Sequence, residues 1–267
     1  LILGVPTSQA FIPVDVILII MSVITAIAAM QVAGGMDWLV QIAENFLRKH
    51  PERITFYAPI VTFVMTLMAG TGHTAFSTLP VIAEVAKGQG VRPSRPLSIA
   101  VVASQIAITA SPISAAVVAF AAMLAPFGVD YLTLLAVCIP TTFIACMAGA
   151  LVANYMGSEL KDDPIYQDRL EKGLVKLATQ EKREILPTAK KATFIFLGAI
   201  GFVVCYAAAI SSSVGLIENP ALGRNEAIMS VMLAAAAAIV LFTKVDAAKI
   251  SSAPTFRSGM TACVCVL

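Results

Sequence analysis

The chain of 267 residues is 58% hydrophobic and only 13% charged, with a mean hydropathy of +0.87. A soluble globular domain is closer to a quarter charged, so this composition excludes one and indicates a polytopic helical membrane protein. The net charge of +2 decides little, and a transmembrane barrel is excluded because its short alternating segments are not seen.

Residues 1–12 are an uncharged lead-in. Pro13 suits the first turn of a helix, and an apolar first span is expected over 13–35, with Asp15 near its start and Gly34-Gly35 at its end. Asp37 can cap a following helix over 37–50. Trp38, Leu39, Ile42, Ala43, Phe46 and Leu47 recur at helical spacing, and Gln41, Glu44, Asn45, Arg48 and Lys49 fill the other face. The pattern fits a helix lying in the membrane interface with Trp38 as anchor. It fits an amphipathic connector packed on protein equally well.

The next apolar region, 54–86, is interrupted at Ala69-Gly-Thr-Gly-His-Thr-Ala-Phe-Ser-Thr-Leu-Pro80. Gly70 and Gly72 allow backbone angles that an unbroken helix does not use. Each arm rises only about 20 Å, short of the hydrocarbon thickness. The region is therefore one kinked span or a re-entrant hairpin. A second interruption, Ser104-Gln-Ile-Ala-Ile-Thr-Ala-Ser-Pro-Ile-Ser114, breaks the apolar region 97–125. Ordinary spans follow at 131–156, 192–213 and 227–243, and another apolar run starts at 258. Residues 157–191 form a charge-balanced linker, with Tyr166, Leu170, Leu174 and Leu177 at helical spacing.

Charge decides the reading of 54–86. With a hairpin there, the loops 36–53, 87–96, 157–191 and 244–257 all face one side and hold 17 of the 18 lysines and arginines, leaving only Arg224 for the other. A full crossing would split the basic loops between both faces. The positive-inside rule favours the hairpin and puts the basic side, linker 157–191 included, in the cytoplasm. The expected fold is thus an all-α membrane protein with a first half over 1–156, the linker, and the start of a second half over 192–267. The last run is too short to cross a bilayer and the first residue is not methionine, so the chain reads as part of a longer one.

Broken helices leave free N–H groups at one new end, which can hold an anion without Lys or Arg. Transporters use such breaks near the bilayer midplane. Thr71, Gly72, His73, Thr74, Thr109, Ser111, Pro112 and Ser114 are the candidate substrate-binding residues, offering backbone N–H groups, hydroxyls and, at Pro112, a missing helical donor. Gly, Ser and Thr also serve close helix packing in membranes, the alternative for each residue taken singly. His73 could donate to a carboxylate, titrate, or be a neutral structural residue. No acidic residue lies at the centre of an expected span, which argues against a carboxylate-based proton pump. No P-loop, nucleophile–base spacing or metal-ligand cluster is visible, so neither an enzyme nor a cofactor is expected. The matched charges of the linker argue against nucleic acid. The five cysteines, Cys138, Cys146, Cys205, Cys263 and Cys265, read as buried packers.

Both interrupted stretches, extended to Lys87 and from Arg92 to Ala116, closely resemble the anaerobic C4-dicarboxylate transporter (Dcu) family of bacteria. Ala26-Ile-Ala-Ala-Met-Gln-Val-Ala-Gly-Gly35 and Thr255-Phe-Arg-Ser-Gly-Met-Thr-Ala-Cys-Val-Cys265 resemble the same family. The resemblance implies a bacterial inner-membrane antiporter exchanging fumarate, malate or aspartate for succinate in anaerobic respiration. It also implies distant similarity to inverted-repeat carriers, in which a re-entrant hairpin and a broken helix move like an elevator. Family members are longer, so the second repeat's hairpin would lie beyond Leu267. An ion-coupled symporter of organic anions and a membrane-embedded sensor stay open as alternatives. Membrane lipid is an expected partner, and a homo-oligomer and a regulatory sensor protein stay open too.

Overall fold

The computed structural model describes residues 14–156, 159–172, 185–210, 216–217 and 220–266. Within these residues it is all helical: twelve α-helices and four short 3-10 turns, with no strand. Packing divides the chain into two compact units that alternate along the sequence. One comprises residues 1–35, 118–132 and 186–267; the other comprises 36–117 and 133–185. Each is described by itself.

In the first unit, α1 (Val14–Val32) packs against α9 (Ala189–Ala209), α10 (Arg224–Thr243), α11 (Ala248–Ser252) and α12 (Pro254–Val266). Small residues make this possible. Ala26, Ala28, Ala29 and Ala33 are fully buried, and small side chains let helix backbones approach closely where lipid supplies no hydrophobic drive. The buried positions of α9, Ala189, Ala192, Phe196, Ile200, Val203 and Ala207, recur every three or four residues and form one stripe. Gly34 ends α1 with φ +79°, and a Cβ on Gly35 would lie 2.7 Å from the Thr193 hydroxyl. Thr188 donates to the Ala33 carbonyl (3.2 Å), Thr193 to that of Gly35 (3.1 Å), and Thr255 to the Gln31 side chain (2.8 Å).

The second unit holds α2 (Gly35–Lys49), α3 (Ile54–Ala69), α4 (His73–Gly88), α5 (Ser94–Ala107), α7 (Tyr131–Asn154) and α8 (Pro164–Glu171). The run between α5 and α7 is α6 (Ala115–Leu124), where the chain passes from one unit to the other. α3 packs on both α4 and α5. Val40, Ala43 and Leu47 of α2 join Ala58, Val61, Ile82, Val85 and Ala100 in one apolar core. α2 thus uses Val40, Ala43 and Leu47 to pack on protein, while Ile42 and Phe46 of the expected apolar face stay exposed. Glu84 on α4 accepts two hydrogen bonds from the Arg48 guanidinium at 2.8 and 3.0 Å and ties α4 to α2.

Three described helices, α7, α9 and α10, are long and apolar enough to cross a membrane. Their outward residues, among them Ile144, Leu151, Phe194, Phe202, Leu241 and Phe242, are large, apolar and exposed, as expected where lipid replaces water. Cysteine placement differs from the expectation of uniform burial. Cys146 and Cys263 are buried, Cys138 is partly so, and Cys205 is exposed on α9 because it lies off that helix's buried stripe. The side chain of Cys265 lies outside the described residues.

Of the linker, α8 carries Tyr166 and Leu170; Leu174 and Leu177 lie outside the described residues. Its start is strapped to the α4–α5 connection. The Leu160 N–H donates to the Gly90 carbonyl (3.2 Å), and the nearly buried Arg95 donates to the Met156 carbonyl and pairs with Glu159. Arg92 pairs with Asp163. Asp163 also caps α8, accepting from the N–H groups of Ile165 and Tyr166. The Tyr166 N–H, followed by Arg92 and the Ile165 N–H, holds its carboxyl below the usual carboxylate range. A group whose folded-state pKa is depressed stabilises above its unfolded value, about pH 3.9, and loses that contribution as pH falls through the folded value. Amide-exchange protection over 160–171 is therefore expected to stay level down to about pH 5 and to fall only below about pH 4. A loss of protection between neutral pH and about pH 6 would contradict this role for Asp163.

Candidate functional site

The first interruption is a tight turn. Gly70 adopts φ +68°, and its N–H donates to the Thr66 carbonyl at 2.8 Å, closing α3. Left-handed geometry of this kind ends helices and favours glycine. α4 begins again at His73. At the second interruption, α5 tightens into a 3-10 turn over Ile108–Ala110 and Ser111 becomes extended (φ −77°, ψ 128°). Pro112 follows, and α6 starts at Ala115. The Ser114 hydroxyl accepts from the Val117 N–H at 3.4 Å, the geometry of a helix N-cap.

These two breaks, some forty residues apart in sequence, meet in the second unit. The Ser111 hydroxyl donates to the Leu67 carbonyl at 2.7 Å. That carbonyl belongs to the last turn of α3, where helical partners run out, so the second break supplies the missing donor to the first. Two further buried contacts extend the seam between α3 and α5. Thr62 donates to the Ala100 carbonyl at 2.8 Å, and the hydroxyls of Thr66 and Ser104 lie 2.9 Å apart. Ser104 also reaches the Gly72 carbonyl at 3.4 Å. Thr62, Thr66, Ser104 and Ser111 are all fully buried. Each such bond between membrane helices contributes roughly 0.6 kcal/mol, up to about 1.7 kcal/mol, so the seam sets register more than it sets stability.

Close approach explains the glycines. A Cβ on Gly70 would lie 2.8 Å from Cγ1 of Ile113, and one on Gly72 would lie 2.6 Å from Nε2 of Gln105. Backbone therefore lies directly against side chain at both ends of the turn.

Of the expected site residues, Gly72 and Ser111 are brought together in this seam. Ser114 stands next to it as the cap of α6. Thr71 is half-buried in the turn, and Pro112 half-buried in the second break. Thr109 is not brought to the others: it is exposed, and its hydroxyl bonds the Ile106 carbonyl one turn back at 2.6 Å. Ser111 already gives its proton to Leu67, so it holds the breaks together rather than presenting a free donor. His73 and Thr74 open α4, but their side chains lie outside the described residues. Thr62, Thr66, Gln105 and Ile113 were not among the expected site residues. Thr62 and Thr66 are four apart within an apolar arm, as are Ala100 and Ser104 across from them, a spacing that puts each pair on one helix face. Among the described residues, no three His, Cys, Asp or Glu lie close enough to hold a metal ion.

The family model described as "Anaerobic c4-dicarboxylate membrane transporter" matches residues 1–267. A C4-dicarboxylate transporter DcuA of Wolinella succinogenes is 61% identical over 267 residues, covering 100% of this chain and 62% of that protein. The C4-dicarboxylate transporter DcuA of Escherichia coli K12 is 51% identical over 257 residues, 96% of this chain and 59% of that protein. The anaerobic C4-dicarboxylate transporter DcuB of Escherichia coli O6:H1 is 37% identical over 265 residues, 95% of this chain and 59% of that protein. The chain thus spans about three fifths of the length of these relatives. No solved structure matches it.

Proposed function

Because the chain belongs to the anaerobic C4-dicarboxylate membrane transporter family, we propose that the complete protein carries C4-dicarboxylates across the bacterial inner membrane and that the joined breaks form part of its substrate site. The family is one of transporters, not enzymes. The observation that carries the site reading is the Ser111–Leu67 hydrogen bond, which brings both helix breaks to one place. A dicarboxylate needs donors for anionic oxygens, and the first turns of α4 and α6 supply backbone N–H groups there without a cation. Thr71 adds a hydroxyl in the turn before α4; Ser111 and Ser114 position the two helix ends.

In this reading 54–86 is a re-entrant hairpin and 97–125 a broken span of one repeat, with linker 157–191 in the cytoplasm. The distribution of Lys and Arg supports that topology. Transport is exchange of fumarate, malate or aspartate for succinate, and the remaining donors come from elsewhere in the complete protein.

The test is uptake of labelled succinate by proteoliposomes holding the complete protein, with and without internal fumarate. Uptake that requires internal fumarate is the expected result, and Thr74→Val should reduce it on the order of tenfold by removing one hydroxyl donor. Uptake driven by a sodium or proton gradient without internal substrate would replace exchange by symport. No uptake by folded protein would overturn the transport reading.

A further inference from the structure

The end of α2 opens on a cavity of about 320 Å³ lined by Lys49, His50, Pro51, Glu52, Arg53 and Tyr57. Its charge is not neutralised by the surrounding fold. Of the ion pairs found among the described residues, none uses Lys49 or Arg53, whereas Arg48 is held by Glu84. A second cavity of about 310 Å³ beside Arg92 and Arg95 differs in this respect, since Asp163 and Glu159 already pair with those two arginines. Glu52 offsets one of the two free cations, and the cavity keeps net positive charge.

The same helix carries an apolar stripe to this cavity. Trp38, Ile42 and Phe46 follow one another at intervals of four along α2, the spacing of a single helix face, and His50 comes just past the helix end. Ile42 is 47% and Phe46 37% exposed, while the Val40, Ala43 and Leu47 face is buried in the core. The rings of Phe46, His50 and Tyr57 stand 5.2 to 5.3 Å apart in all three pairings and form one aromatic wall.

We propose that this cavity binds the phosphate headgroup of an anionic phospholipid. A phosphate oxyanion matches the ammonium of Lys49, the forked donors of Arg53 and the hydroxyl of Tyr57. A soluble phosphate would use the charge alone. A lipid uses both features, because an exposed apolar face leading to a basic end is what an interfacial helix presents to an anionic leaflet. The basic loops place this end of α2 on the cytoplasmic side, where such lipids attract cations. This lipid site lies outside the helix breaks, and lipid binding rather than transport reads it out.

The complete protein is reconstituted in phosphatidylcholine bilayers with and without phosphatidylglycerol, then extracted, and its retained lipid is measured by mass spectrometry. Preferential retention of phosphatidylglycerol is expected, weakened on the order of tenfold in Lys49→Gln/Arg53→Gln and strengthened in Glu52→Gln. Ile42→Ser/Phe46→Ser should weaken retention as well. Equal retention by wild type and the Lys49/Arg53 variant would overturn the site. Inorganic phosphate that raises thermal stability in pure phosphatidylcholine as much as the lipid does, with Ile42→Ser/Phe46→Ser without effect, would make the occupant a soluble anion and overturn the lipid assignment. The gain expected of Glu52→Gln separates a lost site from a misfolded variant.

Discussion

Gly70→Val should destabilise the complete protein by about 2–5 kcal/mol and abolish dicarboxylate transport. Two costs combine. At φ +68° a β-branched residue carries roughly 1–2 kcal/mol of backbone strain. Its Cβ would also stand 2.8 Å from Cγ1 of the fully buried Ile113, and overpacking of this kind costs about 1–3 kcal/mol. The two costs separate in a double-mutant cycle. Ile113→Ala should relieve the contact but not the strain, so the double variant should be less destabilised than the sum of the singles by about 1–3 kcal/mol. Thermal unfolding of the four proteins in detergent reads this directly. Strict additivity would mean that Gly70 and Ile113 do not meet.

Ser111→Ala has the second largest expected effect. It removes no bulk that the core needs, but it leaves the Leu67 carbonyl, now paired at 2.7 Å, without its donor in a buried place. An unsatisfied buried acceptor costs about 1–3 kcal/mol. The two breaks should then part, so succinate exchange should fall more than stability does. Ser111→Thr keeps a hydroxyl and should recover part of both. An alanine variant with unchanged exchange and unchanged unfolding would remove Ser111 from the site. Replacement by a large apolar residue is a poorer probe, because a fully buried serine leaves no space for one and misfolding would hide the loss of function.

The positions of both breaks were legible because glycine or proline stands there among clustered hydroxyls within an apolar run; a lone proline is no such mark, since Pro59, Pro80 and Pro140 lie inside α3, α4 and α7. Gly70, Gly72 and Pro112 each mark a backbone event. Which hydroxyls meet across the breaks was not legible. Helical spacing puts Thr62 and Thr66 on one face, but which helix that face meets is set by packing between segments nearly forty residues apart. The same holds for Glu84, whose partner Arg48 lies on another helix. α2 shows a related limit: its sequence is apolar over more than half its circumference, so periodicity alone could not separate the stripe that packs on protein from the stripe that stays exposed. That Thr109 stands apart from the others was not legible either, because a hydroxyl in a helical turn looks like a ligand donor in sequence, while in space it bonds its own backbone.

The hydrogen bonds that anchor the end of α1 bear on the order of assembly. Ala33 and Gly35 are held by Thr188 and Thr193, and Gln31 by Thr255. The nearest of these partners is made 155 residues later. At a synthesis rate of roughly 5–20 residues per second, α1 waits on the order of 10 to 30 s before its first partner emerges from the ribosome. Throughout that interval α1 lacks the α9, α10 and α12 helices on which it packs, and the nascent chain must be shielded by the insertion machinery or by lipid. Slowing translation between residues 36 and 187 should therefore lower the yield of assembled protein more than slowing it after residue 255.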